Sequence, residues 1–420
     1  MPDDQSPSGS GTGDAPDTGP PVLSRQELRR QSKAGDGSSR TWWYLIGGLV
    51  VVGVGVVIAV VATSGTAHDA AKVAVATTTT SAVPAPACPL TGAPAPGGTV
   101  PARPALGVKI GNYPGDRPSS GLNQADIVFE EPVEGAITRL LAVFQCQTAP
   151  LVGDLRSARQ PDAGILSQLS DPLFVHAGGI DPVIALMEAS PLIDKNLYSG
   201  GNGSAIIQQP GRVAPYSTFV NTATLWSLDP TDTTPPAPIF QYTTSLPKGS
   251  VAGSGASVHI PFSSTSDVTW QWNAATGTYL RFYSGQPDKL LDGAQTAAAD
   301  VVIMTVPTAT GPWVENSEGG HEVDVTATGS GPVVVMRNGA AITGTWARPA
   351  LTQPATLTTA DGSTITLQPG NSWVELVPVD IPVTPAAATP ATPPTTKAAP
   401  PTTKAAPSTT KAAPPTTKAT

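Results

Sequence analysis

Charge is scarce in this chain. Only 13% of its 420 residues are charged, and acids outnumber bases for a net charge of −8. That balance excludes nucleic acid as an expected partner and excludes a broad basic face for lipid. Cysteine is scarcer, with only Cys88 and Cys146, and no Cys–His pair stands near a plausible nucleophile. Other catalytic signatures are missing as well. The folded part holds no Gly-x-Ser-x-Gly, no His-Glu-x-x-His and no glycine-rich phosphate loop ending in Lys-Ser/Thr. No metal or other cofactor is expected.

Long apolar runs are also rare. The exception is "WWYLIGGLVVVGVGVVIAVVA", residues 42–62, which carries no charge and would span about 30 Å as a helix. It is too long for a signal-peptide core and follows some 40 polar residues, so it reads as a retained transmembrane helix. Trp42, Trp43 and Tyr44 suit the headgroup layer at one end. Arg25, Arg29, Arg30, Lys33 and Arg40 precede the span, whereas only Lys72 follows closely. The positive-inside rule therefore predicts a cytoplasmic N-terminus and a C-terminal ectodomain outside the cell membrane. In that oxidising space an even cysteine count predicts one disulfide, Cys88–Cys146, the alternative being two unrelated buried thiols.

What is plentiful is proline (46) and glycine (42), and their distribution divides the chain. Residues 1–40 read as a disordered cytoplasmic tail. Residues 63–100 form a Thr/Ala/Pro linker. Residues 381–420 form a tail whose stretch 394–420 repeats every seven positions, with Lys397, Lys404, Lys411 and Lys418 in phase. Proline in each unit and the lack of an apolar seam make this an extended, solvated tail rather than a coiled coil. Between them the folded core carries a net −11.

That core predicts an α+β fold: a mixed α/β first domain over 101–228 and a β-rich second domain over 237–380. Strands are expected at 105–110, 126–130, 137–145 and 173–177. A helix is expected near Pro161, burying Ile165, Leu166 and Leu169. Another is expected over 181–191, with Asp181 as N-cap and Pro182 in its first turn. Asn338-Gly339 is a hairpin signal. The Pro/Thr stretch 228–238 marks the boundary between the two.

The arginines stand out against so few charges. In "LVGDLRSARQPDAG" (151–164), Arg156 and Arg159 precede a helix start, where guanidinium forks and free N–H groups would together suit a phosphate or carboxylate. Arg212 in "GRVAPYSTF" and His176 in "FVHAGG" are candidates to join them. Arg139 lies within an otherwise apolar strand and needs a carboxylate or an anion. Glu134 is the candidate acid/base or arginine partner, and Glu134–Arg139 or Glu130–Arg156 pairs would tie the fold internally. His321, Glu322 and Asp324 lie close in sequence, but strand alternation leaves His321 opposite the two acids, so metal binding is not expected there.

"CPLTG" (88–92), "RPALGVKIGN" (103–112), "RPSSGLNQADIVFEEPVEGAITRLLAVFQ" (117–145), "VGDLRSAR" (152–159) and "FVHAGG" (174–179) resemble the YerB-like family of bacterial extracytoplasmic domains of unknown function. "GTYLRFYSG" (277–285), "ADVVIM" (299–304), "RNGAAITGTWAR" (337–348) and "LQPGNSWVELVP" (367–378) resemble the C-terminal domain of that family. The resemblance implies a two-domain envelope protein and no established reaction. Its members are often lipoproteins, but Cys88 follows a proline-rich linker rather than an apolar stretch, so the 42–62 segment is expected to be the anchor. The expected function is a single-pass, membrane-anchored binding or scaffolding module of the cell envelope, recognising an anionic wall component or a wall-synthesis partner. The alternative is an envelope hydrolase or transferase that uses Glu134 beside an Arg156/Arg159 anion pocket.

Overall fold

The computed structural model describes residues 85–247 and 250–388. The expected tail at 1–40, the expected span at 42–62, most of the expected linker and all but residues 381–388 of the expected tail at 381–420 lie outside the described residues. Within that remainder, Pro385–Ala386 pairs antiparallel with the strand Ser257–Pro261 instead of running on as loose tail. Among the described residues no helix is long and apolar enough to cross a membrane.

The architecture is α+β and dominated by strand. Its centre is a ten-stranded sheet whose strands, in chain order, are β1 (Leu106–Gly111), β2 (Ile127–Val133), β3 (Ile137–Phe144), β4 (Leu173–His176), β5 (Ile193–Asn196), β6 (Asp300–Val306), β7 (Gly329–Arg337), β8 (Ala340–Arg348), β9 (Thr356–Thr358) and β10 (Ser372–Pro378). Across the sheet the order is β9-β8-β7-β6-β10-β2-β3-β1-β4-β5. The last of these ten strands in sequence, β10, sits between β6 and β2 and runs parallel to both. Strands from both sides of the Pro/Thr stretch 228–238 therefore share one sheet.

The central strands read as unbroken apolar runs because both of their faces are buried. Alternate residues such as Val108, Val128, Ala142, Val301 and Trp373 face a second sheet built around Ser257–Pro261, Asp267–Asn273 and Thr278–Tyr283. The intervening residues, among them Phe129, Leu141, Val143, Val302 and Val374, face the helices α1 (Gln160–Leu166) and α2 (Asp181–Ala189). Ile165, Leu166 and Leu169 are buried there as expected. At α2 the chain differs by one residue from expectation. Ile180 holds the cap position and Asp181 is the first helical residue, an acid in the first turn where the helix dipole favours it.

The Asn338-Gly339 turn joins β7 to β8. Both residues have positive φ (50° and 71°), the conformation a two-residue hairpin of this twist needs. A separate two-stranded hairpin, Thr308–Val314 with His321–Val325, belongs to neither large sheet and packs on α1 and β2. Cys88 and Cys146 form a disulfide with a Cα–Cα separation of 6.0 Å.

Candidate functional site

Three parallel strands, β1, β4 and β5, end side by side at Gly111, His176 and Asn196. Ligands of open sheets with parallel strands usually bind beyond such carboxyl ends. Here the "DLRSAR" segment fills that position and is fixed by main-chain bonds. Gly111 N–H donates to the Asp154 carbonyl (3.0 Å), Arg156 N–H to Lys109 (3.0 Å), Ala177 N–H to Arg156 (2.9 Å) and Ala158 N–H to Gly178 (2.9 Å). Gly111 has to be glycine, because a Cβ there would collide with the Asp116 carboxylate and with Arg156 Cγ.

That clamp brings the predicted arginines together. Arg159 donates from Nε to Glu134 Oε2 (2.7 Å), from Nη2 to Glu134 Oε1 and from Nη1 to the Ala158 carbonyl (2.8 Å), and its Nη1 forms an ion pair with Glu315 Oε2 at 3.1 Å. Arg139 donates to the same Glu134 (3.2 Å) and to the Ser157 carbonyl (3.0 Å). Arg156 pairs with Asp116 at 2.6 Å, lies 3.9 Å from Asp154, and stands over the Tyr216 ring at 4.8 Å. Arg212 donates to the main-chain oxygens of Asp116 (3.0 Å) and Tyr216 (3.1 Å), so it borders the group. Burial and the neighbouring charge of Arg159 lower the Arg139 guanidinium to about 10, with Arg156 adding to the effect. The guanidiniums of Arg139, Arg156 and Arg159 are thus close enough to repel one another.

Glu134 joins the group as an arginine partner. Burial alone would raise its carboxyl, but the hydrogen bonds and charge of Arg159, with Arg139 beside it, hold it below the usual carboxylate value. A carboxylate so held is a poor general acid near neutral pH. His176 makes no hydrogen bond or ion pair with the arginine side chains. Its ring is buried against Phe174, with Nδ1 bonded to the Gly178 carbonyl (2.7 Å) and Nε2 to Asp194 (2.9 Å). Glu130 pairs with Arg281, not with Arg156. The helix after Arg159 has only seven residues, Pro161 in its first turn has no N–H to offer, and Asp162 accepts the N–H of the cap residue Arg159 at 2.7 Å.

The sequence reading missed two groups of this cluster. Lys109 is wholly buried between Glu131 and Asp162, 2.7 Å from the latter. A lysine inside the apolar run "LGVKIG" was the available signal. Glu315 and Glu322 arrive from the separate hairpin, and nothing in "WVENSEGGHEV" marks them as partners of residues some 150–180 positions earlier.

Asp154 is fully buried with neither carboxylate oxygen hydrogen-bonded. Burial, and next the Asp116 carboxylate, push it up to about 7, while burial raises Asp126 to about 6. Both folded-state values exceed those of the unfolded chain, so the folded state holds the extra protons. Their contribution to stability is complete below about pH 4 and is lost as pH rises through about 7. The Tm is expected to be higher at pH 5 than at pH 8, by at least about 2 °C. Asp154→Asn should flatten that slope. An unchanged slope in the variant, measured by thermal unfolding at both pH values, would remove Asp154 as its source.

The fold agrees with what known proteins show. Residues 90–234 match the N-terminal domain, and residues 258–374 the C-terminal domain, of the protein family of unknown function DUF3048. The two matches together cover more than half of the chain, and the chain belongs to this family. Among individual relatives, it is 49% identical over 73 residues to the protein named "Putative lipoprotein YerB" of Bacillus subtilis (strain 168), a match covering 17% of this chain. That match spans 22% of the length of the curated relative. The crystal structure of the YerB protein from Bacillus subtilis superposes with a TM-score of 0.61 at 22% identity, covering 71% of this chain and 99% of that one, a likeness of fold.

Proposed function

We propose that this chain is an extracytoplasmic cell-envelope protein, held at the membrane by residues 42–62, that works as a binding module for carboxylate- or phosphate-bearing wall components. The observation that carries this reading is the convergence of Arg139, Arg156 and Arg159 at the carboxyl ends of parallel strands, with Arg139 and Arg156 still partly exposed. Like charges gathered at a strand-end site favour an anion. The name of the Bacillus relative, a lipoprotein, supports a place at the membrane. Cys88, the conceivable lipid carrier here, is committed to the disulfide, so the apolar stretch serves as the anchor in this proposal. The hydrolase or transferase alternative is weakened because Glu134 is locked by two arginines and His176 is turned away to Asp194.

Retention of the full-length protein on purified cell-wall material tests the reading. Binding is expected to weaken with salt. The Arg139→Gln/Arg156→Gln double variant should bind roughly tenfold more weakly. Retention that is equal for the two proteins, with unchanged circular dichroism, would reject the arginines as the binding site.

A further inference from the structure

The hairpin 308–325 has a part to play at this site. It stands outside both large sheets, yet it delivers the Glu315 carboxylate onto Arg159 and buries Glu322 nearby. Glu315 touches Arg159 through Nη1 alone, at 3.1 Å, and its side chain is 1% exposed. Its other oxygen, Oε1, has no hydrogen-bond partner, and neither has Oε2 of the buried Glu322. Two buried carboxylate oxygens without partners mark a contact that is incompletely satisfied. Burial, with Glu315 and Asp324 nearby, raises Glu322 to about 7, so the acids of the hairpin repel one another as well. Glu315 also feels Glu134, Arg139 and Lys109 in addition to Arg159.

A seam already exists at the hairpin's margin. A cleft of about 290 Å³ separates it from the β2–β3 turn, lined by Glu134, Gly135, Ala136, Thr308 and His321, with Asp380 at the rim. Glu134, the shared partner of Arg139 and Arg159, therefore lines an opening to solvent.

We propose that the hairpin 308–325 is a displaceable cover in which Glu315 stands in for the ligand, and that a carboxylate or phosphate group of an envelope polymer takes its place on Arg159 and Arg139. Charge accounting supports the exchange. Arg139 and Arg159 are balanced by Glu134 and Glu315, so losing Glu315 leaves one positive charge that an incoming anion restores. The exchange breaks one ion pair and forms an equivalent one, while freeing two carboxylate oxygens to meet water. This inference rests on the anion-binding reading above and adds the element that controls access to the site.

The test is calorimetric titration of the full chain in detergent with inorganic phosphate and, separately, with glutarate. Glu315→Gln is expected to bind one of them about tenfold more tightly than the unaltered protein. Adding Arg139→Gln should abolish that gain. Preference for phosphate would point to phosphodiester polymers, and preference for glutarate to carboxylated peptides. Equal affinity with and without Glu315→Gln overturns the cover while leaving the anion site standing. No binding of either anion to either protein overturns both. Hydrogen exchange on the unaltered protein provides a check free of any folding defect in the variant. Amides of 308–325 are expected to exchange faster at saturating phosphate or glutarate, and an unchanged rate sinks the displacement.

Discussion

Replacing Arg281 with methionine is expected to destabilise the chain by about 3–5 kcal/mol, the loss typical of breaking a buried ion pair on one side. Arg281 is wholly buried between the two sheets. It donates to Asp288 (2.7 Å), to Glu130 and to the Tyr283 hydroxyl (3.0 Å), and lies 4.9 Å from the Trp373 ring centroid. Glu130 belongs to β2, and its register partner Glu375 belongs to β10. Both glutamates are fully buried, and burial together with Glu130 raises Glu375 well above its ordinary value. Trp270 donates to Glu375 at 2.7 Å and packs edge-on against Trp373 at 5.1 Å. Methionine fills a similar volume but leaves Glu130 and Asp288 uncompensated. Glu130→Gln added to Arg281→Met should recover much of the loss, because Asn112 (3.1 Å) and Thr138 (2.7 Å) can still donate to an amide oxygen at position 130. Denaturant unfolding of the single and double variants measures both quantities. If the single variant loses less than about 1 kcal/mol, the buried charge is not what joins the second sheet to the first.

This pair also shows where sequence reasoning stopped. Local periodicity was enough to place β1 to β4, because apolar runs flanked by glycine, proline and aspartate leave few other choices. The Asn338-Gly339 turn and the Glu134–Arg139 pair were likewise readable, the turn from backbone stereochemistry and the pair from an arginine in an apolar strand. Arg281 gave a signal that was not used. In "TYLRFY" the period of two puts it on the same face as Tyr279 and Tyr283, and all three are buried. Its partner could not be deduced, since Glu130 meets it only after β10 has entered between β6 and β2, a pairing that follows from tertiary contacts. Glu315 lacked even the local signal. Its surroundings read as an exposed turn, and its placement depends on how a hairpin outside the sheets lies over α1. His176 does end a parallel strand, but its ring bonds Asp194 and the Gly178 carbonyl, which also accepts the Ala158 N–H, and bonds none of the arginines.

Replacing Cys88 and Cys146 together by serine is expected to remove about 4 kcal/mol of stability in the chain-entropy account, given a sequence separation of 58 residues. The closed loop contains β1, β2 and β3, which carry Lys109, Glu131 and Arg139, and the β2–β3 turn with Glu134. Its ends are well seated. Asp126 accepts the Cys146 N–H at 2.9 Å, Arg103 donates to the Cys146 carbonyl at 3.1 Å, and both half-cystines are buried with Ala95. Because the folded strands are held by their own ladders, the loss should arise chiefly in the unfolded ensemble. Reduced unaltered protein and the double-serine variant should then unfold at nearly the same denaturant concentration, both well below the oxidised protein. A wide gap between those two would assign the effect to the burial of serine hydroxyls instead. A difference below about 1 kcal/mol between oxidised and reduced protein would show the bridge to be dispensable. It would also remove the physical reason for this fold to require an oxidising compartment, on which the extracytoplasmic reading partly depends.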